Sequence, residues 1–331
     1  MIHGFVDRGT SYHALVNYDS DSGFGLPGVF SLSIENVGHL VAYEAFNKIA
    51  ELRVDTLLTH SMDVLRRGPV ARALQRGRDA HTAAIKDSVP ADVVVNPHTA
   101  WEATLCRLLL RIQGHRHGGA LLLSSGGSMK GLNAKYRIDY SRLRTAQITR
   151  DIAYTIHHST RRTIWDLLHG GAPSLARDLL LAYMRSLNAL TDSRTELDGA
   201  IWLVSLLTRV DGLVLLTPDL DVRAFGVEIT VDRKPKAVVL ASNADPDPDD
   251  LKTVDYNLYG TRHRSMMRYC FASPGSIGFV VSQDGDVRGM TRVGDQIVVW
   301  ENIRLRGHDF VEDTDARRVL DAALLTKVTK R

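Results

Sequence analysis

Apolar residues recur along this chain with two spacings, one typical of helices and the other typical of strands. Spacings of three and four residues predict helices over 35–52, 69–84, 99–113, 173–190, 196–208 and 261–270. Short apolar or alternating runs predict strands over 12–18, 28–34, 120–123, 213–217, 222–229, 237–240, 277–282 and 287–290. Because the two patterns interleave along the chain, the sequence predicts the α/β fold class.

These elements divide the chain into two predicted domains. Residues 1–95 form an N-terminal α/β unit of unknown role, which ends with a short apolar run at 93–95. Residues 96–331 form a second domain with a helical insertion at about 143–195. Each domain is large enough to bury a hydrophobic core without disulfides or metals.

Composition and charge exclude several classes of protein. The 331 residues are 44% hydrophobic and 24% charged, and the net charge of +3 is too small to indicate a nucleic-acid polymer as partner. The two cysteines, Cys106 and Cys270, have apolar neighbours and provide no disulfide framework. The N-terminus has no apolar signal segment, and Arg209 and Asp211 interrupt the most apolar stretch, 201–216. We therefore expect a cytoplasmic protein that does not enter a membrane.

Three short segments of the second domain carry polar residues suited to chemistry. The first is Asp211-Gly212, which precedes a predicted strand. A carboxylate at that position can hold a divalent cation, and a glycine lets the backbone approach a ligand closely. On its own, an Asp-Gly step more often marks only a turn.

The second segment, Gly260-Thr261-Arg262-His263-Arg264, stands at the start of a predicted helix, with the threonine hydroxyl as its cap. Free backbone N–H groups at a helix start attract anions, and arginine binds phosphate oxygens with paired hydrogen bonds. The histidine is a candidate for placing or exchanging a proton. The competing interpretation is a capped basic helix that faces solvent.

The third segment reads Val-Val-Ser-Gln-Asp-Gly at 280–285 and alone predicts only a hairpin turn. In order along the chain, however, four motifs resemble those of the diadenylate cyclase (DAC) domain family. They are Gly-Gly-Ala-Leu-Leu-Leu at 118–123, Asp-Gly at 211–212, Gly-Thr-Arg-His-Arg at 260–264 and Val-Val-Ser-Gln-Asp at 280–284. The five-residue motif is specific and the others are supporting. The resemblance covers roughly 99–303 and implies a DAC-like mixed β-sheet wrapped by helices, beside the smaller N-terminal α/β unit.

The resemblance implies a nucleotide-binding protein that uses Mg²⁺ or Mn²⁺ and works as a homodimer or higher homo-oligomer. In the family, two domains meet face to face with one ATP each, and the two ATP condense to cyclic di-AMP and two pyrophosphates. Carried over to this chain, Asp211, Arg262 and His263 would be catalytic, and Asp211 and Asp284 would bind the metal. The implied nucleotide-binding residues are Gly212, Leu213, Gly260, Thr261, Arg264, Ser282 and Gln283.

The chain departs from the family at two motifs. Leu213 replaces the alanine of the family's Asp-Gly-Ala motif, and Gln283-Asp284 replaces a Glu-Glu pair, which removes one negative charge. A literal Asp198-Gly199-Ala200 occurs inside a predicted helix and is not followed by a hairpin, so we interpret it as coincidental.

Three functional hypotheses follow from these observations. The first is an active diadenylate cyclase. The second is a catalytically inactive DAC-like sensor that binds a nucleotide second messenger and signals to a partner protein. It is suggested by a similar DAC-related group that is proposed to sense nucleotides in bacteria. The third is a degenerate fold that is kept for protein contacts.

Overall fold

The computed structural model describes residues 5–6, 30–44, 47–54, 56–58, 62–89, 97–124, 129–170, 177–283, 286–301, 303 and 305. The predicted strand at 12–18, the apolar run at 93–95 and Asp284 lie outside the described residues. The described residues form five α-helices and two β-sheets. This mixed architecture confirms the predicted α/β class.

The smaller sheet belongs to the N-terminal part of the chain and has five strands in chain order. They are β1 (Phe5–Val6), β2 (Phe30–Asn36), β3 (His39–Glu44), β4 (Asn47–Arg53) and β5 (Thr56–Leu58). β1 is parallel to β2, and the other neighbouring pairs are antiparallel. The strand predicted at 28–34 corresponds to β2.

The helix predicted over 35–52 is wrong, because this segment contains β3 and parts of β2 and β4. Gly38 has φ 70° and turns the chain between β2 and β3. Its carbonyl accepts a hydrogen bond of 2.6 Å from the Val54 N–H. Across β3 and β4, His39 Nε2 lies 2.6 Å from Glu51 Oε1. The apolar spacing within each of these short strands, taken alone, also fits a helix, and the turn at Gly38 together with strand pairing decides for strands.

The larger sheet has nine strands in the order β11-β10-β14-β13-β12-β6-β8-β9-β7. Their bounds are β6 (Gly119–Leu123), β7 (Leu132–Tyr140), β8 (Leu213–Leu216), β9 (Val222–Ile229), β10 (Val238–Ala241), β11 (Leu251–Thr253), β12 (Ile277–Val281), β13 (Val287–Val293) and β14 (Gln296–Trp300). The pairs β6–β8 and β10–β14 are parallel, and the remaining pairs are antiparallel. The sequence analysis found six of these strands and missed β7, β11 and β14.

The helices are α1 (Gly68–Lys86), α2 (Pro97–Gly114), α3 (Arg142–His169), α4 (Arg177–Leu207) and α5 (Thr261–Ala272). The two helices predicted over 173–190 and 196–208 are in fact the single helix α4. In its polar middle, the hydroxyls of Thr191, Ser193 and Thr195 donate to carbonyls of the preceding turn, so these polar side chains find their partners within the helix. None of the described helices is both long enough and apolar enough to cross a bilayer.

The nine-stranded sheet lies between two apolar layers, because successive side chains of a strand point to opposite faces. Leu122 and Leu215 belong to the layer that α5 covers. Leu121 and Val214 belong to the opposite layer, which includes residues of α1, α2, α3 and α4. Every residue of β6, β8 and β12 is buried, so these three strands form the centre of the core.

Buried polar contacts join α1 to the helices beside it. The Arg78 guanidinium donates to Glu102 Oε1 at 2.9 Å and to the Leu65 carbonyl at 3.0 Å. His81 Nε2 lies 2.7 Å from Asp151 Oδ2 on α3, and both side chains are buried. Although α1 falls within the predicted unit 1–95, it packs against helices of the larger sheet. The domain boundary itself stays a prediction.

A matched pair of glycine substitutions tests the packing of α1. A Cβ at Gly77 would overlap the backbone carbonyl of Pro218, whereas a Cβ at Gly199 on α4 would meet no atom within 4 Å. We expect Gly77→Ala to lower the free energy of unfolding by about 3 kcal/mol, because the backbone must shift. We expect Gly199→Ala to raise it by about 0.5–1 kcal/mol through helix propensity. Urea denaturation measures both, and equal or greater stability of Gly77→Ala would contradict this packing.

The burial of both cysteines predicts that they do not react in the folded protein. Burial raises the pKa of the Cys270 thiol to about 12, and Cys106 is also buried in the core. Because the thiolate is the reactive form, iodoacetamide should label neither residue until the chain is unfolded. Mass spectrometry before and after adding urea measures the labelling. Rapid modification of Cys270 in the folded chain would contradict the assigned core.

Candidate functional site

Three strand ends meet at one edge of the nine-stranded sheet, namely the starts of β6 and β8 and the end of β12. β6 and β8 are parallel, and their register, continued back beyond the strand starts, places Gly118 beside Asp211. β12 is antiparallel to β6, and its register places Ser282 on the other side of Gly118. The sheet therefore brings together three of the four motifs that the sequence analysis singled out.

Two glycines lie at this edge at positions where a Cβ atom would crowd neighbouring atoms. Gly118 has φ 72°, and Gly212 has φ 115°. A Cβ at Gly212 would lie 2.6 Å from the backbone carbon of Gly226, so the glycine of the Asp-Gly motif is required by contact between β8 and β9. The predicted contact of Gly212 with a nucleotide remains a prediction.

The fourth motif begins α5, whose first turn lies over this edge. The N-cap is Gly260, which corrects the expectation that the Thr261 hydroxyl caps the helix; Thr261 is instead the first helical residue. The first backbone bond of the helix runs from the Arg264 N–H to the Gly260 carbonyl at 3.0 Å. The N–H groups before it have no partner within a helix, so they form the positive end of the helix dipole.

The Arg262 side chain links α5 to the strand ends. A Cβ built at Gly118 would lie 3.0 Å from Arg262 Nη1 and 3.5 Å from Gln283 Cγ, so both side chains lie against this glycine. Arg262 and Asp211 are exposed. Neither forms an ion pair or hydrogen bond with another side chain in the described part of the chain. A guanidinium and a carboxylate therefore face solvent from neighbouring elements.

His263 follows Arg262 but occupies a different environment. Its Nε2 lies 3.4 Å from Nη1 of Arg288 on β13. Burial, followed by the positive charges of Arg288 and Arg262, lowers the pKa of His263 from 6.5 to about 4, while Asp286 acts in the opposite direction. The imidazole is therefore neutral near pH 7 when no anion is bound beside it.

Other predicted site residues have structural roles at the same edge. The Ser282 N–H donates to the Asp286 carbonyl at 2.8 Å, and the Ser282 hydroxyl accepts from the Asp286 N–H at 3.0 Å, so Ser282 shapes the β12–β13 turn. The Leu213 side chain is 5% exposed and packs in the core. Because its side chain is buried, Leu213 can contact a nucleotide only through its backbone. Gln283 is exposed beside Arg262, and Asp284 lies outside the described residues.

The exposed carboxylate of Asp211 suits a metal that is shared with a ligand. Within the described ranges, no group of three or more histidine, cysteine or acidic side chains is placed to hold a metal ion. Asp211 provides one exposed carboxylate, and Asp284 is the second predicted ligand. Mg²⁺ commonly takes only one or two carboxylates, with phosphate oxygens and waters completing its shell. The residues present therefore fit Mg²⁺ or Mn²⁺ that arrives with a phosphate compound.

Sequence reasoning missed three residues that shape the site: Gly118 as a contact of Arg262, and the pair Arg288 and Glu301. Gly118 lies at the start of a motif that was recognised, so the signal was present. Arg288 and Glu301 are 13 residues apart, and pairing of β13 with β14 places Arg288 Nε 2.8 Å from Glu301 Oε1. No sequence motif marks them, and only strand register brings them under α5.

The coincidental Asp-Gly-Ala segment lies apart from this edge. Asp198 is in α4 and forms an ion pair with Arg107 of α2. The histidines at 115 and 157 also have structural partners, since His115 Nε2 lies 3.0 Å from Ser205 Oγ and His157 Nδ1 lies 3.0 Å from Ser186 Oγ.

Comparisons with known proteins do not assign this chain to a family. No protein-family model matches it, and no curated protein is significantly similar to it in sequence. The functional interpretation therefore depends on the motifs and on their arrangement at the sheet edge.

The low pKa of His263 predicts a pH dependence of stability. Between about pH 6.5 and pH 4 the unfolded chain binds a proton at His263 that the folded chain does not, so acid favours unfolding. We expect the free energy of unfolding to fall by about 1–2 kcal/mol between about pH 7 and pH 5 from this residue, with solvent screening allowed for.

Urea denaturation across this pH range measures the effect. The variant His263→Gln should lose this part of the pH dependence, whereas His117→Gln, at an exposed histidine, should keep it. An unchanged pH dependence in His263→Gln would contradict the assigned environment.

Proposed function

We propose that the chain binds ATP at this edge of the nine-stranded sheet and condenses two ATP to cyclic di-AMP and two pyrophosphates. The observation that carries the proposal is the position of Arg262, exposed beside Gly118 at the start of α5 and facing no acidic partner in the described residues. A helix N-terminus and a free guanidinium at one point form a binding site for phosphate oxygens.

Neighbouring residues support binding of a longer phosphate chain. A Cβ at Gly260 would have no described atom within 4 Å, so the region in front of α5 is open. Thr261 is exposed there and offers a hydroxyl, and Arg264 adds a second positive charge one position beyond His263. Phosphoryl transfer depends on positioning and charge neutralisation more than on covalent catalysis, and these side chains provide both.

Asp211 is the residue that would hold Mg²⁺ or Mn²⁺, together with Asp284. A bound metal ion would neutralise phosphate charge and make a ribose hydroxyl easier to deprotonate. The Asp211 carboxylate would also orient a ribose hydroxyl by accepting its hydrogen bond. The charge of Arg262 would stabilise negative charge that develops on the transferred phosphate.

The chemistry requires a second copy of the chain. A ribose hydroxyl of one ATP forms a bond to the α-phosphorus of the other, the bond from that phosphorus to the bridging oxygen breaks, and pyrophosphate leaves with the electron pair. The hydroxyl proton passes to solvent, and the reaction occurs twice. Each chain presents one such edge in its described residues, so a homodimer or higher homo-oligomer would bring two ATP together.

A second candidate function is a nucleotide sensor without catalysis. It is favoured by Gln283, a neutral residue that lies against Gly118 beside Arg262, where the resembled family has an acid. Loss of that charge weakens metal binding more than phosphate binding, since Arg262 and the helix N-terminus are intact. Such a protein would bind ATP or a cyclic nucleotide and signal to a partner protein.

Incubation with ATP and Mn²⁺, read by mass spectrometry, tests the cyclase, and calorimetric titration with ATP and Mg²⁺ tests binding. We expect Arg262→Met to weaken ATP binding about 10- to 100-fold, because a charged hydrogen bond contributes about 1.5–3 kcal/mol. We expect Asp211→Asn to abolish cyclic di-AMP formation with a smaller loss of ATP affinity.

Controls with the same substitutions come from the opposite end of β8 and β9. Arg223→Met and Asp219→Asn should behave as the unmodified chain, because these residues lie near the β8–β9 turn and away from Gly118. ATP binding without product would favour the sensor. Absence of both product and nucleotide binding in a folded chain would overturn the proposed function.

A further inference from the structure

Arg288 occupies a position beneath the first turn of α5 that none of the four motifs covers. On β13 it pairs with Val280 of β12, whose side chain belongs to the layer covered by α5. Its Nε lies 2.8 Å from Glu301 Oε1, and its Nη2 lies 3.9 Å from Asp286 Oδ2. Two carboxylates thus lie within ion-pair distance of the guanidinium, and its Nη1 lies 3.4 Å from His263 Nε2.

The chemistry of this contact assigns the proton on His263. A guanidinium has only N–H donors and accepts no hydrogen bond. The Nε2 atom that receives Arg288 Nη1 at 3.4 Å must therefore offer its lone pair. In a neutral imidazole the single proton then lies on Nδ1.

We propose that Arg288 is a positioning residue that fixes His263 as the Nδ1–H tautomer, so that His263 donates this hydrogen bond to a phosphate oxygen bound at the start of α5. The tautomer assignment follows from the contact alone. The role of the Nδ1–H towards a ligand rests on the proposed function. Arg288 acts through His263, as outer residues do when they orient a metal-binding or catalytic histidine.

The surrounding charges are consistent with a neutral donor. Arg262 on α5 and Arg288 on β13 both disfavour protonation of the imidazole, and Asp286 in the β12–β13 turn opposes them. The Tyr259 ring, which precedes α5, lies 6.0 Å from the His263 ring. Burial and then the negative charge of Glu301 raise the pKa of Tyr259, against the opposite effect of Arg288, so the phenol stays protonated and brings no charge near His263. A neutral histidine has an N–H donor at physiological pH and avoids the desolvation cost of another charge in this partly buried site.

The first test is spectroscopic and needs no ligand. Long-range proton–nitrogen NMR of the full chain with ¹⁵N-labelled histidine distinguishes the two tautomers, and His263→Gln assigns the signals. We expect the Nδ1–H form in the unmodified chain and in Arg288→Lys, because an ammonium also donates only. We expect Arg288→Met to give a mixture with Nε2–H.

The spectra can also overturn the assignment. An Nε2–H form in the unmodified chain, or an unchanged Nδ1–H form in Arg288→Met, would do so. Loss of the Nδ1–H form to the same extent in Arg288→Lys and Arg288→Met would contradict the role of a cationic donor. Thermal unfolding of each variant confirms that it is folded.

The second test measures ATP affinity by calorimetry with Mg²⁺ present. We expect Arg288→Met to weaken ATP binding about 10-fold, the value of one hydrogen bond to a charged group, and Arg288→Lys to restore most of the loss. ATP binding that is unchanged in Arg288→Met would overturn the role towards the ligand.

The two tests separate this inference from the proposed function. If the unmodified chain does not bind ATP, the proposed function fails and the ligand role of His263 fails with it, while the spectra still decide the tautomer. If ATP binds and Arg262→Met weakens it but Arg288→Met does not, the proposed function stands and only the role of Arg288 fails.

Discussion

The pairing of β6 with a strand on each side is the constraint on which the rest of the structure depends. All five residues of β6 are buried, and its partners are β8 in parallel and β12 in antiparallel orientation. A parallel partner cannot follow through a tight turn, so the chain must cross over between β6 and β8. Here β7 and the two long helices α3 and α4 make that connection. Because β8 starts and β12 ends at the level where β6 starts, their polar flanking residues collect around Gly118.

This arrangement explains why glycine recurs at the edge. Backbone crowding between β8 and β9 requires glycine at 212, and a positive φ favours glycine at 118. The Arg262 guanidinium then occupies the space beside Gly118 into which the side chain of any other residue at position 118 would project. The glycines at 118 and 212 therefore let the strands pack closely and let a guanidinium reach the strand ends.

The charged side chains at the edge form two sets, one exposed to solvent and one beneath α5. Arg262 and Asp211 are exposed, whereas Arg288 forms ion pairs with Glu301 and Asp286 beneath α5. His263 has a neighbour in each set, and its burial together with the positive charges of Arg288 and Arg262 keeps the imidazole neutral. An exposed cation attracts an anion from solvent, while a neutral, partly buried donor can orient that anion without the desolvation cost of another charge. This arrangement supports the proposed binding of phosphate groups.

The sequence by itself determined the α/β class, helices α1, α2 and α5, and both hairpins that carry the motifs, because each depends on local spacing, turn residues or a buried apolar run. It also singled out Asp211 and the segment from Gly260 to Arg264, which the tertiary structure brings to one edge of the larger sheet. Only the tertiary structure decided that 35–52 forms strands, that α4 is continuous, and that Arg288 and Glu301 lie beneath His263. These features depend on strand register and on contacts between residues far apart in the chain. The local spacing of apolar and polar residues does not show which distant residues meet, so it cannot predict such contacts.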